Sequence, residues 1–69
     1  MEARDRMKLL RAGFKIFRRR PGFPEDGERS SIWEFSKTGS WCLFEKYKTQ
    51  RDRDEYWKHL TNDEKTIGD

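Results

Sequence analysis

The chain has 69 residues, 42% of them charged and 32% hydrophobic, with a net charge of +3. No apolar run approaches the roughly 18 residues of a membrane span, and the N-terminus has no apolar stretch of the kind a secretory signal needs. One cysteine leaves no internal disulfide and no cysteine-based zinc site, which points to a reducing, cytoplasmic setting.

Composition nevertheless argues for a fold. Five Phe, three Trp and two Tyr supply ten large rings, enough to fill a small core against the disorder that so polar a chain would otherwise favour. The expectation is one small domain over residues 1–69. Charge is uneven along it. Residues 1–20 hold eight basic residues against two acidic ones, net +6, and the remaining residues are net −3. Such asymmetry points to an anionic partner, nucleic acid first.

Residues 1–13 hold the first element, a short helix. Ala3, Met7 and Leu10 recur at helical spacing with Leu9 beside them, and Gly13 stands where a left-handed cap is wanted. Residues 14–47 read as three strands. Phe14 to Arg20 alternates, and Pro21 ends it because proline cannot donate to a ladder. The stretch Pro21–Glu28 reads as an acidic loop.

The second strand falls in Glu28–Ser36 and the third in Trp41–Tyr47. Lys37-Thr38-Gly39-Ser40 forms the turn between them, with Gly39 free to take positive φ. A two- or four-residue loop pairs Ser36 with Trp41 and Glu34 with Leu43. Trp33 and Phe35 then share a face with Cys42 and Phe44. A three-residue loop would slip the strands by one and mix these sets.

Residues 49–61 form the second helix. Thr49 is a good N-cap with Asp52 three residues on. Arg53, Trp57 and Leu60 make one stripe, with the Arg53 head expected on Glu34 or Glu45. Residues 62–69 read as a tail anchored by Ile67. The expected fold is therefore α+β: a small three-stranded antiparallel meander, a C-terminal helix packed on one face, and a short N-terminal helix.

Chemistry is sparse. His59 is the one histidine and has no nucleophile at a useful spacing. Cys42 reads as a small thiol packed in a strand. No metal-ligand spacing and no glycine-rich phosphate loop is present, so no catalytic residue, metal or small-molecule cofactor is expected. The sharpest polar feature is Arg18-Arg19-Arg20. In a strand its cations fall on alternate sides of the sheet. With Lys15 and Arg11 these arginines are the candidate nucleic-acid contacts. The rival expectation is a protein partner or a homo-oligomer, motivated by aromatic bulk on both hairpin faces.

Three strands followed by Tyr47-Lys48-Thr49 and a helix carrying Trp57 and Leu60, with Trp41 in the third strand, resemble the arm-binding domains of phage-type integrases. That resemblance implies a sheet laid in the DNA major groove, although the acidic Pro21–Glu28 loop departs from the pattern. A closer resemblance is to small uncharacterised bacterial proteins of similar length from mobile-element backgrounds. It rests on Leu9-Leu10-x-Ala12-Gly13-Phe14, Leu43-x-Glu45-Lys46-Tyr47-x-Thr49, Arg53-Asp54 and Thr66-Ile67. It implies a stand-alone domain and brings no activity.

Overall fold

The structure is a computed structural model that describes residues 1–19 and 30–69. In chain order it has α1 (Ala3–Arg11), β1 (Lys15–Arg18), β2 (Ser31–Phe35), β3 (Trp41–Lys46), α2 (Gln50–Thr61) and β4 (Thr66–Gly68). The four strands form one sheet in the order β3-β2-β1-β4.

This corrects the three-stranded antiparallel meander. The segment read as a tail is a fourth strand, and it runs parallel to β1, pairing Lys15 with Thr66, Ile16 with Ile67 and Phe17 with Gly68. Backbone bonds flank that pairing: Lys15 N–H donates to Lys65 O at 2.8 Å and Asp69 N–H to Phe17 O at 2.8 Å. The sheet is therefore mixed. α2 supplies the crossover that a parallel partner requires.

β1 is an inner strand covered on both faces. Ile16 is 0% exposed and its neighbour Phe17 is 2% exposed. Consecutive strand residues point to opposite faces, so both faces of the sheet are buried here. Gly68, opposite Phe17, lies against Trp57 and Thr61 of α2, which places α2 on the Phe17 face. Arg6 of α1 lies over Phe35 and Trp41. Phe17 pairs with Glu34, so Phe35 points the other way and α1 covers the opposite face. The C-terminal helix thus packs on one face, and the short N-terminal helix covers the other.

The helix ends follow local chemistry. Gly13 has φ +94°. Its N–H donates to Leu10 O and the Phe14 N–H donates to Leu9 O. That double bond pattern closes a helix when a residue without Cβ takes the left-handed position. Thr49 Oγ1 accepts from the Asp52 N–H at 3.1 Å, the cap its sequence position suggests.

The hairpin register also needs correction. Phe35 pairs with Trp41, Glu34 with Cys42 and Trp33 with Leu43. The Ser36 N–H donates to Ser40 O across a three-residue loop, Lys37-Thr38-Gly39, in which Gly39 has φ +86°. A three-residue loop ending in a left-handed glycine slips the pairing by one residue relative to a two-residue turn. Trp33 and Phe35 consequently share a face with Trp41 and Leu43, and Cys42 lies with Glu34. An irregularity between Ile32 and Trp33 then inserts Phe44 as an extra residue in β3. Phe44 meets Phe17 edge-on, with ring centroids 4.9 Å apart.

Candidate functional site

Arg18, the last residue of β1, and Arg19, which follows it, lie on opposite faces of the sheet, as continued strand alternation would place them. Each meets the same pair of partners, a carboxylate and an indole. On the α1 face, Arg18 Nη2 donates to Asp69 Oδ2 at 2.8 Å, and its guanidinium lies 4.1 Å from the Trp41 ring centroid. Arg6 Nε donates to the same oxygen at 2.9 Å, with its guanidinium 5.3 Å from the Trp41 centroid. The Met1 amino group stands 3.9 Å from Asp69 Oδ1. Burial pushes the Asp69 carboxyl up, but the hydrogen bonds and charges of Arg18 and Arg6 outweigh it and hold its pKa below the ordinary carboxylate value.

On the α2 face, Arg19 Nη1 donates to Asp54 Oδ1 at 3.3 Å, and its guanidinium lies 4.9 Å from the Trp57 centroid. Arg53 is buried and donates to the same oxygen through Nε at 3.1 Å and Nη2 at 2.9 Å. The expected Arg53 partners were Glu34 and Glu45; the adjacent Asp54 takes these bonds instead. Hydrogen bonding from Arg53, with a smaller share from Arg19, lowers the Asp54 pKa. The two arginines thus tie the end of β1 to α2 and to the C-terminal strand. Arg20, the third of the run, lies outside the described residues, as does the acidic Pro21–Glu28 stretch.

Arg11 and Lys15 are exposed. Two cations that the sequence reading passed over accompany them. Arg4, Lys8 and Arg11 follow i, i+4, i+7 on α1, and all three are exposed. At 100° per residue they fall within about 60° of one another on the helix. Arg6, Leu9 and Leu10, partly buried, occupy the other side, and the partly buried Met7 flanks the stripe beside Arg11. Among the described residues, Arg4, Lys8, Arg11 and Lys15 have no side-chain hydrogen bond or ion pair. The period of the charges was visible in the sequence. Their freedom was not, because it depends on Asp69 and Asp54 selecting Arg6, Arg18 and Arg19 instead.

The residues weighed for catalysis are dispersed. His59 is exposed near the end of α2, and Cys42, expected to be packed, is exposed on β3. The described residues contain no group of three or more His, Cys, Asp and Glu able to hold a metal ion. Burial, with Tyr56 and Glu45 nearby, pushes the Tyr47 phenol up to about 12, so it stays protonated at neutral pH. None of the described helices is long and apolar enough to cross a membrane. No family model, no curated protein and no solved structure matches the chain.

Proposed function

We propose that this chain is a non-enzymatic binding module for nucleic acid, acting in the bacterial cytoplasm, and that it meets the phosphate backbone first through α1. The observation that carries the reading is the exposed stripe of Arg4, Lys8 and Arg11, with Lys15 following in β1, all without an acidic partner among the described residues. From Arg4 to Arg11 the helix rises about 10 Å. That length spans about three phosphates of one strand, whose axial spacing is about 3.4 Å. Arg20 keeps a place in the proposal. Arg18 and Arg19 contribute less, because each already holds a carboxylate and would have to exchange it for phosphate.

Counterion release gives the reading a number. Three neutralised phosphates predict a slope of log K against log salt of about −2.7 on duplex DNA, and four about −3.6. Between about 50 and 200 mM salt the first slope amounts to a loss of about 40-fold. A fluorescence titration against duplex and single-stranded DNA and RNA across a salt series tests this. Affinity that is negligible even at low salt, or that does not fall with salt, would sink the proposal.

A further inference from the structure

An open groove lies beside the C-terminal end of α1, between the start of β1 and the turn end of the β2–β3 hairpin. Its volume is about 420 Å³, within the roughly 300–1,000 Å³ of small-ligand sites. Every residue lining it lies among the described ones. Leu10 and Phe14, both half-buried, give it an apolar wall. Lys15 and Lys37 line it and are exposed, and the Lys65 ammonium lies 4.6 Å from the Phe14 ring centroid. The one acid in the lining is Glu34, which is half-buried. Among the described residues Glu34, Lys15 and Lys37 make no side-chain hydrogen bond or ion pair.

This pattern of charge selects the occupant. A half-desolvated carboxylate in an apolar wall favours a ligand that brings it a hydrogen-bond donor. The same carboxylate repels an anionic group from the groove itself, while the lysines attract anions beside it. The ligand that satisfies both is anionic outside the groove and carries N–H donors within it. A nucleotide of an unpaired strand has that form. Its base offers a flat apolar face and amino groups on one edge, and phosphates flank it. We infer that the groove takes one unpaired base, with an amino group donating to Glu34 and the adjacent phosphates on Lys15 and Lys37.

The inference rests on the nucleic-acid reading and narrows it. Lys15 follows the α1 stripe in the chain, so a strand tracked along α1 reaches the groove. In a duplex the edge that Glu34 reads is closed by the pairing partner, so duplex is held by the stripe alone. Adenine, cytosine and guanine carry the exocyclic amino group. Thymine and uracil present two carbonyl oxygens on that edge, which the Glu34 carboxylate repels.

Cys42 also lines the groove, is exposed and is the one cysteine of the chain, so its alkylation reports occupancy without any substitution. On the wild-type chain at low salt, oligo(dC) at about ten times its Kd should slow the reaction of Cys42 with a maleimide by about tenfold. A duplex at equal occupancy should leave the rate unchanged. Oligo(dC) should also bind more tightly than oligo(dT) by about tenfold, the effect of one charge-assisted hydrogen bond. Glu34→Gln, whose amide can accept or donate, should abolish that preference with the circular dichroism spectrum unchanged. Salt-dependent binding that leaves Cys42 equally reactive, treats the two oligomers alike, or keeps its preference in Glu34→Gln would overturn the groove and leave the phosphate contact standing. No binding of any nucleic acid at low salt would overturn both.

Discussion

A single methyl group at position 68 probes the part of the fold that departs furthest from a meander. Gly68 pairs with Phe17 in the parallel ladder. A Cβ there would stand 2.6 Å from Trp57 Cζ2, 3.2 Å from Cη2 and 3.6 Å from Thr61 Cγ2. Carbon atoms pack best at about 3.5–4.0 Å, so Gly68→Ala displaces the indole by about 1 Å. The ring is not free to move. Arg19 lies over it and is itself bonded to Asp54. Overpacking of this kind costs about 1–3 kcal/mol. The stiffer unfolded chain returns about 0.4–1 kcal/mol. The net loss is then about 1–2 kcal/mol, or about 4–16 °C in Tm for a domain of this size. Urea and thermal unfolding followed by circular dichroism measure it. The diagnostic is the double variant: Trp57→Leu removes the atoms in conflict, so Gly68→Ala should cost nothing in that background, a coupling of about 1–2 kcal/mol. A neutral Gly68→Ala in the wild type, or equal costs in both backgrounds, would show that α2 does not pack on β4.

Three further outcomes follow from named contacts. Asp69 and Asp54 both have depressed folded pKa values. Their contribution to stability is complete above the unfolded carboxylate pKa of about 3.9 and is lost as pH falls through the folded values. Asp69→Asn should cost about 1–3 kcal/mol at neutral pH and flatten the acid limb of the stability profile; an unchanged limb would contradict the Arg6–Asp69–Arg18 cluster. Among the described residues the buried Tyr47 hydroxyl has no hydrogen-bond partner, so Tyr47→Phe should be neutral or stabilising in urea melts, and the wild-type phenol should titrate at about 12 in ultraviolet absorbance. Thr49→Ala removes the oxygen that accepts from the Asp52 N–H and should lower stability by about 1 kcal/mol, read as a shift in the urea midpoint at constant m.

The parts of this fold that were legible in the sequence are those fixed by neighbours in the chain. Thr49 caps a helix because its oxygen reaches a backbone N–H three residues away, and Gly13 takes positive φ at the C-cap position that ends α1. β4 was illegible for the converse reason. Thr66-Ile67-Gly68 has one apolar residue and no periodicity, and it becomes a strand because β1, some fifty residues earlier, offers an unpaired edge. The hairpin register turned on whether Gly39 closes a two- or a three-residue loop, and both agree with the same residues. At the candidate site, alternation alone placed Arg18 and Arg19 on opposite faces. The Arg6–Asp69 contact joins positions 63 apart, and no local pattern announces it. That contact and its Arg19–Asp54 counterpart decide which cations are left free. The sequence pointed to the basic segment as a whole; among the described residues it is the outer stripe of α1, rather than Arg18 and Arg19, that has no carboxylate partner.

The central claim is that this stripe meets phosphate, and a comparison of salt slopes tests it most directly. The wild-type chain and an Arg4→Ala/Lys8→Ala/Arg11→Ala variant would be titrated against the same duplex across a salt series, with circular dichroism confirming that both are folded. The account predicts a wild-type slope of about −3 to −4 and a variant slope shallower by about 2.7, one increment of about 0.9 for each cation removed. Equal slopes for the two chains, or no measurable binding by the wild type at low salt, would contradict it.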